Sequence, residues 1–305
     1  MKKKSIIITL CLIISILASF TVFAADDTIS KIKIDGNQEV VRVDMDSLEL
    51  NKANKTAWDT GFVEAIRKAK ANDTLTPDDL QHTSSEIDEI VADYCAKHYD
   101  NTSGTIYDKA LSVADSNTIS IDLDEDSDVY KKYVNHYDID DNTSVTITPD
   151  SIYVDEYAEK TVNKPDTIST SAKAASSWKY KDVATRRTLY KKVTANNKTY
   201  SLKIYSTHTG GQVKYNGSTA KHNSAYYAYS LVGDYGQRFT FKQIAKQSEQ
   251  YSGTSWHYKY LGKITGSVSL TTPVKVKITY KETALGCQVI TKKNGSVTKN
   301  YWPSL

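Results

Sequence analysis

From residue 178 onward the hydrophobic pattern of this chain has a period of two. Val274, Val276, Ile278 and Tyr280 alternate with Lys275, Lys277, Thr279 and Lys281, so an extended chain there presents one apolar and one cationic face. Runs of the same kind occupy 199–205, 212–215, 225–232, 238–243 and 264–270. Residues 287–291 and 296–301 flank Lys292-Lys293-Asn294-Gly295, which predicts a hairpin closed at Asn294-Gly295. Further turn signals are Asn196-Asn197, Asn216-Gly217-Ser218 and Gly233-Asp234. Short strands at this spacing predict an antiparallel sandwich or small barrel.

Before residue 160 the texture is different. Trp58, Phe62, Ile66 and Ala69 recur at helical spacing. Thr76-Pro77-Asp78-Asp79 has the order of a helix start, and Thr83 with Glu86 reads as a capping box. Beyond it, Ile87, Ile90, Val91, Tyr94, Cys95 and His98 share one face. A short helix is expected after Ser127, with Val129, Tyr130, Tyr133, Val134 and Tyr137 turned inward. Strands are expected at 32–43, 118–123 and 145–154. Tyr94–Ile106 and Tyr133–Ile147 echo one another, each reading as a helix end, a polar turn and a β-branched strand start. The reading is an α+β domain followed by an all-β domain.

Residues 161–177 are small and polar and follow no period, the composition of a linker. At the other end, Lys2-Lys3-Lys4, the apolar run 6–20 and Val22-Phe23-Ala24 match a secretory signal. The expected organisation is a signal peptide at 1–24, an acidic α+β domain at 25–160, a linker at 161–177 and a basic all-β domain at 178–305. With cleavage near Ala24 the product is expected outside the cell, with no transmembrane segment left after maturation.

The charge follows the same division. From Asp26 to Ile168 there are 14 Lys+Arg against 32 Asp+Glu, a net of −18. From Ser169 to Leu305 there are 22 against 4, a net of +18. Such asymmetry speaks to partners rather than to fold. It predicts that the two parts associate with each other, the acidic one masking or orienting the basic one.

No catalytic signature emerges. The basic part has four acids, Asp182, Asp234, Glu249 and Glu282, far apart in sequence, and no metalloprotease, hydrolase-elbow, phosphate-loop or dinucleotide motif. Cys287 with His208, His222 or His257 lacks a local nucleophile signature. Asp122, Asp124, Asp126 and Asp128 resemble the start of a calcium loop. The template fails where Ser127 stands at the sixth position and Tyr133 at the twelfth. Cys95 and Cys287 permit one disulfide, although both sit at positions expected to be core.

The aromatic residues of the basic part are the better lead. Tyr226, Tyr227 and Tyr229, then Trp256, Tyr258, Lys259 and Tyr260, with Lys275 and Lys277, offer flat faces, polar tips and positive charge. The expectation is a secreted, non-enzymatic binding protein that adheres to an anionic polymer or glycan at a cell surface and needs no cofactor; nucleic acid is a less available partner outside a cell. One alternative is the proprotein of a secreted toxin or antimicrobial factor whose acidic segment is released by cleavage in the linker. The other is a secreted hydrolase.

Overall fold

A computed structural model describes residues 29–34, 38–70, 75–81, 86–114, 119–123, 125–163, 177–233, 238–270 and 276–305. The expected signal segment, most of 161–177, Thr83, Asp124, Asp234 and Lys275 lie outside the described residues. The protein is mostly β-sheet; among the described residues the α-helices lie in the N-terminal part, and antiparallel sheets make up the C-terminal part. No helix among the described residues is long and apolar enough to cross a membrane.

The apolar spacing places α1 (Lys52–Lys70) and α2 (Glu86–Lys97), which bury Trp58, Phe62 and Ile66, and Ile87, Val91 and Cys95. The strand start expected after Asp100 is instead α3 (Asn101–Val113). The Asp100 carboxylate accepts from the Thr102 and Ser103 N–H groups, and this N-cap outweighs the β-branched composition that follows. Ser127 caps α4 (Asp128–Lys132) in the same way. That helix ends before Tyr137, which lies in a strand rather than on the helix face expected for it.

Two sheets carry the fold. The first has the order β1 (Ile29–Ile34), β2 (Gln38–Val43), β3 (Ile119–Leu123), β12 (Val276–Thr291), β11 (Ser255–Leu270), β10 (Phe239–Tyr251), with β13 (Val297–Trp302) also on β12. The second has the order β4 (Asn135–Asp138), β5 (Thr143–Ile147), β6 (Ser151–Val162), β7 (Lys179–Ala195), β8 (Lys198–Tyr215), β9 (Ala220–Val232). Two expected strands, 32–43 and 145–154, are hairpins, β1–β2 and β5–β6. The turn at Asn294-Gly295 forms where expected, with Gly295 at φ 87°. Asn196 and Asn197 adopt φ of 54° and 57°, the left-handed pair that a tight β7–β8 hairpin requires.

β8 continues through the gap expected at 206–211. Ser206, Thr207, His208 and Thr209 are buried; Ser206 Oγ lies 2.8 Å from Thr188 Oγ1, and Thr209 Oγ1 donates to Tyr227 O at 3.2 Å. His208 Nδ1 lies 2.5 Å from Leu80 O, while its Nε2 has no hydrogen-bond partner among the described residues.

Both sheets draw strands from both sides of segment 161–177. β6 pairs with β7 from Ser151↔Lys191 to Val162↔Tyr180, and β3 runs parallel to β12 at Ile119↔Val276. The sheets face each other across Tyr153, Leu189, Ile204 and Tyr205 on one side and Phe239, Ile264, Ile278 and Leu285 on the other. The opposite face of the second sheet, Val145, Ile147, Ile152, Val154 and Tyr190, is covered by α1 and α2. Apolar side chains on both faces explain why β5 to β7 lack a clean alternation.

Candidate functional site

The opposed charges of the two parts meet along β6, β7 and β8. Asp155 and Arg187 pair at 3.2 Å between the sheets, and Glu156 and Arg186 pair at 2.5 Å on the helix-covered face. Lys191 pairs with Asp150, Lys192 with Asp100 at 2.5 Å, Lys203 with Asp88 at 2.7 Å and Lys181 with Glu159 at 2.8 Å. Every acid here precedes residue 168 and every base follows it. Asp100, Asp150, Asp155, Glu156, Arg186, Arg187 and Lys192 are buried. For such pairs the large energy lies in stranding one partner, about 3–5 kcal/mol, rather than in the net attraction.

The expected aromatic face is divided by the pleat of the strands. Trp256, Tyr258 and Tyr260 alternate with Lys259, so the rings point between the sheets and the ammonium points away. Tyr258 is fully buried, donates to Gln212 O at 2.9 Å and stacks on Tyr226 at 5.4 Å. Trp256 packs in the same cluster and stacks on His222 at 6.1 Å, while buried Tyr260 stacks on Phe241. Tyr227 and Tyr229 face the other way. The Tyr229 hydroxyl donates to Gln81 O at 2.7 Å, and its ring stacks on His208 at 5.0 Å. Lys277 is half-buried at the far end of β12. These residues therefore do not share one surface: Tyr258 and Tyr260 are buried, and the other described members of the set are half-buried on different faces.

A different face assembles around Lys259. The registers of β10 to β13 align Gln247, Lys259, Gln288 and Asn300 in one row across four strands. Asn300 Nδ2 donates to Gln288 Oε1 at 2.8 Å, and the Lys259 ammonium sits 4.6 Å from the Trp302 ring centroid. The ring's electron-rich face holds that cation over the row. One row further, His257 faces Glu249 at 3.5 Å, and burial keeps the imidazole below its usual value. Gln288 itself is buried, its amide held by Asn300 and His257. The face thus presents the half-buried Gln247 and Asn300 amides beside a positioned cation, a set suited to hydroxyl and anionic groups. Gln247, Gln288, Asn300 and Trp302 escape a reading of composition. The hairpin turn at Asn294-Gly295 signals only that Asn300 stands opposite Gln288; the rest of the row depends on the β10–β11 and β11–β12 registers.

Cys95 and Cys287 are free and buried, Cys95 beneath α1 and Cys287 against the Thr185 and Thr207 carbonyls. The bridge considered between them is not formed. Burial pushes both thiols up to about 12, away from nucleophilic use. Of the calcium candidates, Asp122 is 3.3 Å from Arg42, Asp126 offers its carbonyl to Lys131, and Asp128 opens α4. Among the described residues no group of three or more His, Cys, Asp or Glu side chains could hold a metal ion.

No protein-family model, curated protein or solved structure matches this chain.

Proposed function

We propose that the chain is an exported, non-enzymatic binding protein whose outer β10–β13 face adheres to an anionic or glycan-rich polymer at a cell surface. The observation that carries this reading is the row Gln247–Lys259–Gln288–Asn300 beside Trp302. The acidic part contributes by engaging the bases of β7 and β8, so the positive charge of the basic part is neutralised on that side. The lysines of the first sheet's outer face then set the sign of the field met by a ligand. Exposed charges interact only within about 8 Å at physiological salt, so attraction to a polyanion should weaken steeply as salt rises.

The test is retention of the full chain on purified anionic wall polysaccharide and on neutral glycan, across a salt series, with the variants Lys259→Gln and Trp302→Ala. Salt-sensitive retention that both variants reduce supports the reading. Retention on neither polymer, or retention untouched by either variant, refutes it.

A further inference from the structure

Asp150 and Lys191 meet at one end of the space between the sheets. Asp150 ends the turn before β6, and Lys191 stands on β7 opposite Ser151. The backbone bond from Lys192 N to Asp150 O, at 2.8 Å, holds the two residues in register. The Lys191 ammonium meets Asp150 Oδ2. The other carboxylate oxygen, Oδ1, accepts from the Tyr130 hydroxyl at 2.7 Å and from Thr148 Oγ1 at 3.1 Å. The two oxygens of Asp150 thus have different partners, donors on one and an amine on the other.

Around the pair stand Tyr107, Tyr130, Tyr153 and Tyr280, all buried. The Tyr280 ring lies 5.8 Å from Lys191 Nζ. A cavity of ≈ 20 Å³ bordered by Tyr107, Asp150, Lys191 and Ile278 adjoins the pair, room for one water molecule. Leu123 also borders this cavity, and its carbonyl accepts from the Glu125 N–H at 3.1 Å, which sets Glu125 beside it. The residue as a whole is open to solvent, yet burial of its carboxyl end and the charge of Asp150 push that group far up from the usual carboxylate range. A third carboxyl whose proton affinity is raised beside the pair is what separates it from the rest. Lys192–Asp100 has a second cation, Lys55, as its charged neighbour, and Lys181–Glu159 and Lys203–Asp88 are more open to water.

We propose that Lys191 and Asp150 join covalently, as an intramolecular isopeptide bond between Nζ and Cγ, with Glu125 relaying the proton. Although burial opposes charge, the attraction between Asp150 and Lys191 holds the carboxyl down and the ammonium up, so the pair rests charged. Transfer of a proton within it produces, as a minor species, the neutral amine and acid that bond formation needs. The Nζ lone pair attacks Cγ, and the π electrons move to Oδ1, where Tyr130 and Thr148 donate hydrogen bonds. Collapse restores the C=O bond at Oδ1 and breaks the bond from Cγ to Oδ2. The departing hydroxyl takes one proton from nitrogen through the Glu125 carboxyl and leaves as water. One C–N bond forms, one C–O bond breaks, and nothing is oxidised or reduced. Fixed proximity supplies the drive that free amine and acid lack in water.

The experiment is intact-mass measurement on the purified, reduced and denatured chain, its N-terminus read by sequencing, followed by peptide mapping. The expected result is a mass one water below that of the sequence, with the peptide holding Asp150 attached to the peptide holding Lys191. Glu125→Gln should fold, as judged by its circular dichroism, and recover the full mass. A folded wild-type chain of full mass overturns the bond. A cross-linked Glu125→Gln chain overturns the role given to Glu125.

Discussion

Asp155 and Arg187 stand directly opposite one another on β6 and β7, both buried between the sheets, with the guanidinium also 4.7 Å from the Tyr153 ring. Arg187 Nη1 reaches on to the Pro303 carbonyl at 2.7 Å, so one side chain ties the β6 carboxylate to the end of the chain. Arg187→Met should destabilise the fold by about 3–5 kcal/mol, because Asp155 is left as an unpaired buried charge. The double variant with Asp155→Asn should lose less than the two single losses added together. Denaturant melts of the four chains measure that coupling directly, and strict additivity would deny it.

Acid should act through His208. Burial, and then the charge of Arg186 and of Lys203, holds its imidazole down from 6.5 to about 3, while its Nδ1 faces Leu80 O at 2.5 Å. The folded chain therefore binds fewer protons than the unfolded one across that window. Stability should fall as pH drops from about 6.5 towards about 3, by at most roughly 1.4 kcal/mol per pH unit. Asp155 runs the other way: burial raises it to about 6, so its contribution is present at low pH and fades as pH rises from about 4 to about 6. Thermal melts over this range should show a shallower acid loss in His208→Gln and a steeper one in Asp155→Asn.

Cys95 and Cys287 should resist thiol reagents in the native chain and react together on unfolding. Burial keeps the thiolate scarce at neutral pH, with both groups up to about 12. Counting labelled thiols before and after denaturant checks this, and one native label per chain would contradict the packing around that residue.

A chain nicked between Asn163 and Ser177 should stay in one piece at high salt. Twelve paired positions of β6 on β7 and the shared apolar core hold the parts together, and neither depends on screened surface charge. Size-exclusion chromatography of the nicked chain decides the matter. Separation would favour a releasable acidic segment.

Much of the local structure was legible. Trp58, Phe62 and Ile66 announced α1, the alternation at Val276, Ile278 and Tyr280 announced β12, and Asn294-Gly295 announced its hairpin. What composition conceals is register. The acids of β6 and the bases of β7 look like the marks of two separate bodies until Asp155 is seen opposite Arg187. Buried polar residues misled in the same direction. Ser206 to Thr209 have no apolar period because hydrogen bonds rather than hydrophobic contacts hold them inside. The aromatic cluster 256–260 failed as a face because a strand sends neighbours to opposite sides, whereas the row through Lys259 needed three registers that no single segment contains.

The pairing of β3 with β12 also bears on time. Ile119 finds Val276 only after more than half the chain has been made between them, so the first sheet cannot be completed while its C-terminal strands are still absent. Such long-range closure is slow. Until β7 emerges, a growing chain carries Asp100, Asp150 and Asp155 without the bases that later receive them. The early product is a strongly acidic, open polypeptide that repels its own copies. The arrival of the last third of the sequence, rather than any local event, commits it to the folded state.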